Sequence, residues 1–564
     1  MGLARNTLSK SALVRTQAHG WPGRRVHVKL TRRVLVSMVT IAALEAAGLP
    51  AARAVGEPEE TVSMTLGDCL QQALQHNLDL RVAQLNPESA NYGITFQKAV
   101  FDPVLGANAG YSSSPSDQTQ EIDQISPVAA ATTSKNNNTN TQWQGAVSLT
   151  QALDFGANYA VTLSRTSQSL EQTGFDPRTG LFTSSTQKPK TWDLGVQFRL
   201  PLLKGFGREV NRSAIILAAN NSRLSEEDLR LSAMTTAKST EDAYWDVAAA
   251  RAGVNVANQS LKLAEDLYTL NKKKVEVGTL APIEITQAEA GVASRQEGVI
   301  TAENTLRNTE DNLRRLLAIP PNDPLWSKRI VPADKPSEQP VAIDLDAALS
   351  TAMERRPEIQ SARVKLESQQ LNERVAKKLT RHQLDLQANL DSSRLNYISQ
   401  TVSPCGAGCI NQVNTSTDAT DQPVWRVALV YTYPFGNRSA KSNYAIAQVG
   451  REQAEIAEAS AEQNIRVDVR TAARAVQSGA ERVAAAKANT VLQQKTVDAE
   501  LKKFENGMST SFEVLRIQTD LTSAQLAEIQ ALLDYNKALS DFERAKGTLL
   551  EAKGLTLSTP EKTR

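Results

Sequence analysis

The histidines of this sequence are too few and too scattered to form a catalytic site. There are four of them, two within the first 30 residues: His19, His27, His76 and His382. No nucleophile motif or glycine-rich phosphate loop accompanies them, and catalysis needs such groups within hydrogen-bonding reach of one another. We therefore expect a protein that is not an enzyme and that holds no cofactor.

The cysteines suggest a disulfide rather than a metal site. Cys405 and Cys409 lie in the polar stretch "CGAGC", and an exported chain would oxidise such a pair. No second cysteine pair or nearby histidine completes a tetrahedral ligand set, so no metal is expected. Cys69 matches the small residue Ala348 in the repeat described below, so we interpret it as structural.

Two glutamates follow glycine breaks between helical stretches. Glu284 lies in "VEVGTLAPIEITQAE", after Gly278, and Glu513 lies in "FENGMSTSFEVLRIQ", after Gly507. Glycine supplies the left-handed conformation that ends a helix, and the lysines before each glycine complement the negative helix end. Each stretch therefore predicts a tight hairpin between two helices.

These glutamates can stabilise the starts of their helices. Thr510 and Glu513 have the spacing of a capping box, and Pro282 suits the first turn of the other helix. Arg516 follows Glu513 by one helical turn, so we expect the two to pair.

The chain is an internal duplication. The two hairpin stretches align without a gap, pairing Gly278 with Gly507 and Glu284 with Glu513. A second match aligns "LGDCLQQALQHNLDL" with "LDAALSTAMERRPEI", and a third aligns "LPLLKGFGR" with "YPFGNR". Three matches in the same order indicate two copies of one unit. We place the first repeat at 55–318, a proline-rich linker at 319–343, the second repeat at 344–552 and a tail at 553–564.

The fold class is predicted to be mainly α. Each repeat has a helical segment of about 35 residues, a β-rich insert, a helix of about 70 residues, the glycine break and a further helix of about 35 to 40 residues. In the last helix, apolar side chains follow three- and four-residue steps: Val514, Ile517, Leu521, Ala524, Ala531, Tyr535, Ala538 and Phe542. A second stripe includes Leu526, so this helix has a neighbour on each side. A closed wall of helices and a globular bundle both fit that pattern.

The inserts alternate apolar and polar residues, as strands with one wet face do. Examples are "VLGANAGYS", "WDLGVQFRL", "LDLQANLDS" and "WRVALVYTYPF". Residues 142–168 predict an extra hairpin that turns at Asp154 to Gly156. Aromatic residues in these strands could form membrane girdles, although strands favour aromatics in any case: Tyr111, Trp143, Trp192, Tyr397, Trp425, Tyr431 and Tyr433.

The N-terminus has the pattern of a secretory signal. Residues 1–54 carry nine Lys or Arg against one acid, then "VLVSMVTIAAL" and the small-residue site "AARA". Without this segment the formal charge falls from +2 to about −6, which leaves no basic surplus for nucleic acid.

Together these residues resemble the TolC family of bacterial outer-membrane ducts. The resemblance covers about residues 62–555 and rests on the duplication, the glycine hairpins "VGTLAPIEI" and "NGMSTSFEV", and the strands beside "LPLLKGFGR" and "YPFGNR". It implies a homotrimer in the cell outer membrane of a Gram-negative-type bacterium. Duplicated long-helix hairpins would form an α-barrel tunnel in the periplasm, below a transmembrane β-barrel of twelve strands shared by three chains. The extra hairpin puts that strand number in doubt.

The resemblance also implies roles for the hairpin tips. They would meet a periplasmic adaptor that links the duct to an inner-membrane pump, through Val277, Gly278, Thr279, Leu280, Asn506, Gly507, Met508 and Ser509. Glu284 and Glu513 match acidic positions at the narrow mouth, while Phe504 and Ser509 stand where the family has an aromatic and a basic gating residue. Arg516 replaces a second acid. For the two glutamates, gating and helix capping remain compatible alternatives.

A different class of function also fits the helical pattern. A periplasmic coiled-coil scaffold or adaptor without a pore would use its β-rich segments to bind partners rather than lipid. The transported cargo is not evident from the sequence.

Overall fold

The computed structural model describes residues 60–122, 132–176, 181–404, 410–420 and 423–556. The helices are α1 Leu66–His76, α2 Leu78–Lys98, α3 Arg208–Asn211, α4 Ser213–Glu276, α5 Ile283–Leu316, α6 Leu345–Arg355, α7 Pro357–Leu379, α8 Arg438–Glu505, α9 Ser511–Lys546 and α10 Leu549–Ala552. The strands are β1 Thr61–Met64, β2 Val104–Ile122, β3 Thr132–Ala152, β4 Asn158–Asp176, β5 Leu181–Pro201, β6 Arg329–Pro332, β7 Gln383–Pro404, β8 Ile410–Thr420 and β9 Val424–Thr432. The predicted signal segment, the Cys405–Cys409 pair and the last residues of the tail lie outside the described residues.

The helices repeat in matched lengths, which agrees with the predicted duplication. Helices α1 and α6 have 11 residues each, α4 and α8 have 64 and 68, and α5 and α9 have 34 and 36. The aligned acids Asp79 and Glu358 both stand in the first turn of a helix, in α2 and α7.

The first helical segment of each repeat is not continuous, contrary to the sequence prediction. Asn77 separates α1 from α2, because its side chain accepts a hydrogen bond from the Leu80 N–H and so caps a new helix. In the second repeat Arg356 is extended and Pro357 occupies the first helical position of α7, where a missing N–H does no harm.

The long helices pack side by side. α2 and α5 both lie along α4, α7 and α9 both lie along α8, and α4 joins the repeats by contacting α7 and α9. All eight residues of the predicted seam in α9 are buried. Because α9 contacts both α8 and α4, the prediction that this helix has a neighbour on each side is confirmed. The second stripe is incomplete, since Leu526 remains 45% exposed.

The inter-repeat linker is more ordered than its prolines predicted. β6 pairs in parallel with β1, with Val62 opposite Ile330. Buried Cys69 belongs to the apolar cluster that includes Ile330, and burial raises its thiol pKa to about 12. Cys69 therefore has the structural role expected of it.

The remaining strands form one antiparallel sheet in the order β2-β3-β4-β5-β7, and β8 and β9 both pair with β7. The extra hairpin is present as β3 and β4, and it is longer than the predicted 142–168. Gly156 in its turn has φ of 104°, and a Cβ there would lie 2.6 Å from the Gly205 carbonyl oxygen. Only glycine fits this turn without strain.

Within the described ranges, no helix combines the length and the apolar character that crossing a membrane requires.

Candidate functional site

The two glycine breaks are tight hairpin tips, one joining α4 to α5 and the other joining α8 to α9. Gly278 and Gly507 each have φ of 75°. The N–H of the next residue bonds back across the last turn, from Thr279 to the Lys274 carbonyl and from Met508 to the Lys503 carbonyl, both at 2.9 Å. This is the predicted left-handed helix cap in both repeats.

The two tips are bound to each other by buried polar contacts. Asn271 is fully buried, and its Nδ2 donates to the Glu284 carbonyl at 3.0 Å and to Ser511 Oγ at 2.8 Å. Lys274 Nζ donates to the Phe504 carbonyl at 2.6 Å and lies 4.3 Å from the centre of the Phe504 ring. The hairpins of the two repeats therefore form one connected end.

Phe504 packs inside this end. Its side chain is 1% exposed and forms an apolar cluster with Leu267 and Val514, against which Leu280 also packs. Phe504 therefore contributes to the packing between the two hairpins.

Glu513 is paired rather than free. Arg516 Nε donates to Glu513 Oε2 at 3.0 Å, as the one-turn spacing of these two residues predicted. Arg516 Nη1 also donates to Asp520 at 3.2 Å. The hydrogen bond from Arg516 holds the pKa of Glu513 below its usual range. Thr510 Oγ1 caps α9 by accepting from the Glu513 N–H, but the Glu513 carboxylate serves Arg516 and does not complete the capping box.

Glu284 has a different environment. The residue before its helix is Pro282, which has no N–H from which a glutamate side chain could accept a hydrogen bond. The predicted capping role is therefore wrong for Glu284. Its Oε2 atom is buried and has no hydrogen-bond partner among the described residues. It remains an acid in the first turn of α5, where the helix dipole favours negative charge.

Glu500 is a tip residue that the sequence analysis missed. Ser509 Oγ donates to Glu500 Oε1 at 2.5 Å and Lys503 Nζ donates to Oε2 at 3.0 Å. These hydrogen bonds lower the pKa of Glu500, and the bond from Ser509 has the larger effect. The three-residue spacing from Lys503 was a usable signal, whereas the Ser509 contact depends on the chain reversal at Gly507.

Both tips expose apolar side chains at their turning points. Val277 is 73% exposed and Ile283 60% exposed in one tip, and Met508 is 71% and Phe512 66% exposed in the other. Among the described residues, no group of three or more His, Cys, Asp or Glu could hold a metal ion.

The sheet is a second candidate site, because its two faces differ. Paired residues of antiparallel strands share a face, and one face carries Val147, Leu163, Leu194, Val196, Leu390 and Val427. The other carries Asn108, Ser148, Thr162, Gln197, Gln387 and Asn389. A sheet with one apolar and one polar face can separate lipid from water.

The apolar face covers only the halves of the strands nearest the helices. Aromatic side chains stand at its two borders: Tyr111, Trp143 and Trp192 at one, and Tyr159, Phe198 and Tyr431 at the other. Tyr397 instead lies on the polar face. Beyond the first border β2 and β3 are polar on both faces, as in "SSSPSD" of β2 and "NNNTNTQ" of β3. The longest of the described strands, β7, has 22 residues, about twice the 9 to 11 that cross a bilayer.

Comparison with known proteins identifies a family and a fold. The family model described as outer membrane efflux protein matches residues 158–318 and 348–548, more than half of the chain. Toxin and drug export protein A of Aggregatibacter actinomycetemcomitans is 22% identical over 184 residues, which are 33% of this chain. The chain spans only 39% of the length of that relative.

Solved outer-membrane channels share the fold at low sequence identity. The CusC channel structure is 15% identical and covers 88% of this chain and 96% of its own, with a TM-score of 0.60. The Campylobacter jejuni CmeC outer membrane channel is 16% identical and covers 87% and 86%, with a TM-score of 0.58. These likenesses confirm the predicted fold class, mainly α with a β portion.

Proposed function

Because the chain belongs to the outer membrane efflux protein family, we propose that it forms a homotrimeric duct in the outer membrane of a Gram-negative-type bacterium. Three sheets would make a shared β-barrel in the membrane, and the long helices would make a periplasmic tunnel below it. The duct would receive cargo from an inner-membrane pump through a periplasmic adaptor, in an efflux or a type I secretion system.

The observation that carries this proposal is a pair of apolar edges. Among the described helices, α2 packs on α4 and has no neighbour on its other side, where it exposes Leu78, Val82, Leu85, Tyr92 and Phe96. At the opposite edge α8 exposes Ile446, Val449, Ile456 and Val467. Such stripes mark protein contacts, and copies with two unlike edges that meet head to tail form a ring when the rotation between them closes.

The sheet supports the same arrangement. α2 leads into β2, one edge of the sheet, and β9 leads into α8 at the other. Backbone groups along an open edge are unsatisfied in lipid, so strands can cross a bilayer only in a closed barrel. The apolar face would contact lipid, and the polar halves of the strands would extend beyond the membrane.

The tips would form the periplasmic mouth. Exposed Val277 and Met508, within the predicted docking turns, offer an apolar surface to the adaptor. Glu284 and Glu513 would bring six carboxylates around a narrow opening, where they would attract cations. Ser509 would act there through Glu500, and Arg516 through Glu513.

Single-channel conductance of the detergent-purified protein in a planar bilayer tests this function. We expect a small, cation-favouring conductance, and a changed selectivity or a wider opening when Glu284→Ala and Glu513→Ala are combined. A matched control is Glu303→Ala, which removes an exposed glutamate from α5 far from the tip.

Two other outcomes are informative. If the wild type conducts and the double variant has the same conductance and selectivity, the protein is a duct but neither carboxylate takes part in gating. Absence of conductance from folded protein would favour the pore-free scaffold.

A further inference from the structure

The described residues of one chain supply six strand positions to the sheet. β2, β3, β4, β5 and β7 are five of them. β8 pairs with Arg394–Pro404 of β7 and β9 pairs with Gln383–Asp391, so these two strands occupy successive parts of the sixth position.

The extra hairpin, β3 and β4, is paired within this sheet on both sides. β3 and β4 pair with each other from Asn136 opposite Gly174 to Ala152 opposite Asn158, and they pair with β2 and β5 on either side. They also carry the same two faces as the other strands, with Val147 and Leu163 on the apolar face and Ser148 and Thr162 on the polar one. A hairpin folded into the lumen as a plug would have no reason to keep an apolar face in register with its neighbours.

The two open edges of the sheet can pair with each other in neighbouring copies. Six antiparallel positions leave β2 and the β8–β9 position running in opposite directions, so β2 of one copy can continue the antiparallel ladder of the next. An odd number of positions would not allow this.

We propose that three copies of this chain close a barrel of eighteen strands, six from each, above a tunnel built from the long helices. This inference rests on the trimer of the proposed function. Strands about 4.8 Å apart and tilted by about 40° give a backbone diameter of about 36 Å for eighteen strands, against about 24 Å for twelve. Barrels of this size hold an aqueous channel, and the polar face would line it. The narrowest point of the duct then lies in the helical part, and the barrel does not limit the cargo.

Cryo-electron microscopy of the full-length protein in lipid nanodiscs counts the strands directly. We expect eighteen in the wild type, and twelve in a variant in which a short turn replaces residues 123–180, so that β2 connects directly to β5. A trimeric tunnel under a twelve-stranded wild-type barrel, with β3 and β4 outside the wall, would overturn the eighteen-stranded barrel and leave the proposed function intact. Particles without three-fold symmetry would overturn both. If the shortened variant does not fold, the wild-type count alone decides.

Discussion

The acidic side chains of the tips differ in the partners that surround them. Glu513 shares Arg516 with Asp520, and Glu500 is held by Ser509 and Lys503. Glu284 has a buried oxygen with no partner among the described residues. A carboxylate without a partner can respond to an ion or to a neighbouring chain, because no existing hydrogen bond has to break first. Glu284 is therefore the stronger gating candidate of the two predicted glutamates.

The ion pair of Glu513 predicts a pH dependence. Its pKa in the folded protein lies below the ordinary value of 4.5, so the ionised form is stabilised by folding. This contribution is present above that value and is lost as the pH falls through the folded pKa. We expect Glu513→Gln to unfold more readily than wild type in denaturant at pH 7, and the difference to disappear in acid. Glu303→Gln is the control, and an equal pH dependence in both variants would contradict the assignment.

Sequence reasoning identified the tip residues but not their network. The Arg516–Glu513 pair was predictable because it lies within one helical turn. The bonds from Asn271 to Ser511 and from Lys274 to Phe504 join residues 240 and 230 positions apart, and nothing local in the sequence indicates them. The burial of Phe504 follows from the same long-range packing.

At the scale of elements, the glycines of the tips define where each long helix ends. A Cβ on Gly507 would meet no atom within 4 Å, so the cost of Gly507→Ala comes only from its positive φ. We expect a loss of about 1–2 kcal/mol in the free energy of unfolding, and the same for Gly278→Ala. Gly298 lies inside α5 with equally open surroundings, and Gly298→Ala should raise stability by about 0.5–1 kcal/mol. Denaturant titration measures both, and equal effects at Gly507 and Gly298 would contradict this account.

The apolar face of the sheet predicts how strands tolerate charge. Leu194 lies on that face of β5, and Ser184 lies on the same side of the same strand, ten residues outward in the polar half. We expect Leu194→Arg to destabilise the protein in lipid by about 2–4 kcal/mol, the range for a basic residue near the bilayer midplane. Ser184→Arg should change stability by less than about 0.5 kcal/mol. Urea titration of protein folded into vesicles measures the difference, and equal tolerance of the two would argue against a lipid-facing surface.

The long helices and the extra hairpin were predictable because their periodicity is local. β1 and β6 were missed because strands of four residues carry no reliable alternation and form only by pairing with each other across the chain. The breaks at Asn77 and Pro357 carried signals, a capping residue and a proline, which the overall helical composition obscured.

At the scale of the whole molecule, side-chain contacts show which positions of α2, α4, α7 and α8 lie at the same height along the helix axes. Ser222 in α4 donates to Asn91 in α2, and Asn220 in α4 donates to Ser368 in α7. A Cβ on Gly450 in α8 would lie 3.3 Å from the Gln369 amide oxygen in α7. Phe96 and Ile446 lie one turn nearer the sheet, on opposite edges about 25–30 Å apart at the usual helix spacing. They can meet only between copies.

Cross-linking this pair in intact membranes tests whether three copies close edge to edge into a duct. The chain would carry Phe96→Cys and Ile446→Cys, with Cys405→Ser and Cys409→Ser to remove other thiols, while Cys69 is buried. With a short bis-maleimide, we expect covalent dimers and trimers and nothing larger, and no trimer from either cysteine alone. Products that extend beyond three copies, or no linkage between folded double-cysteine chains, would contradict it.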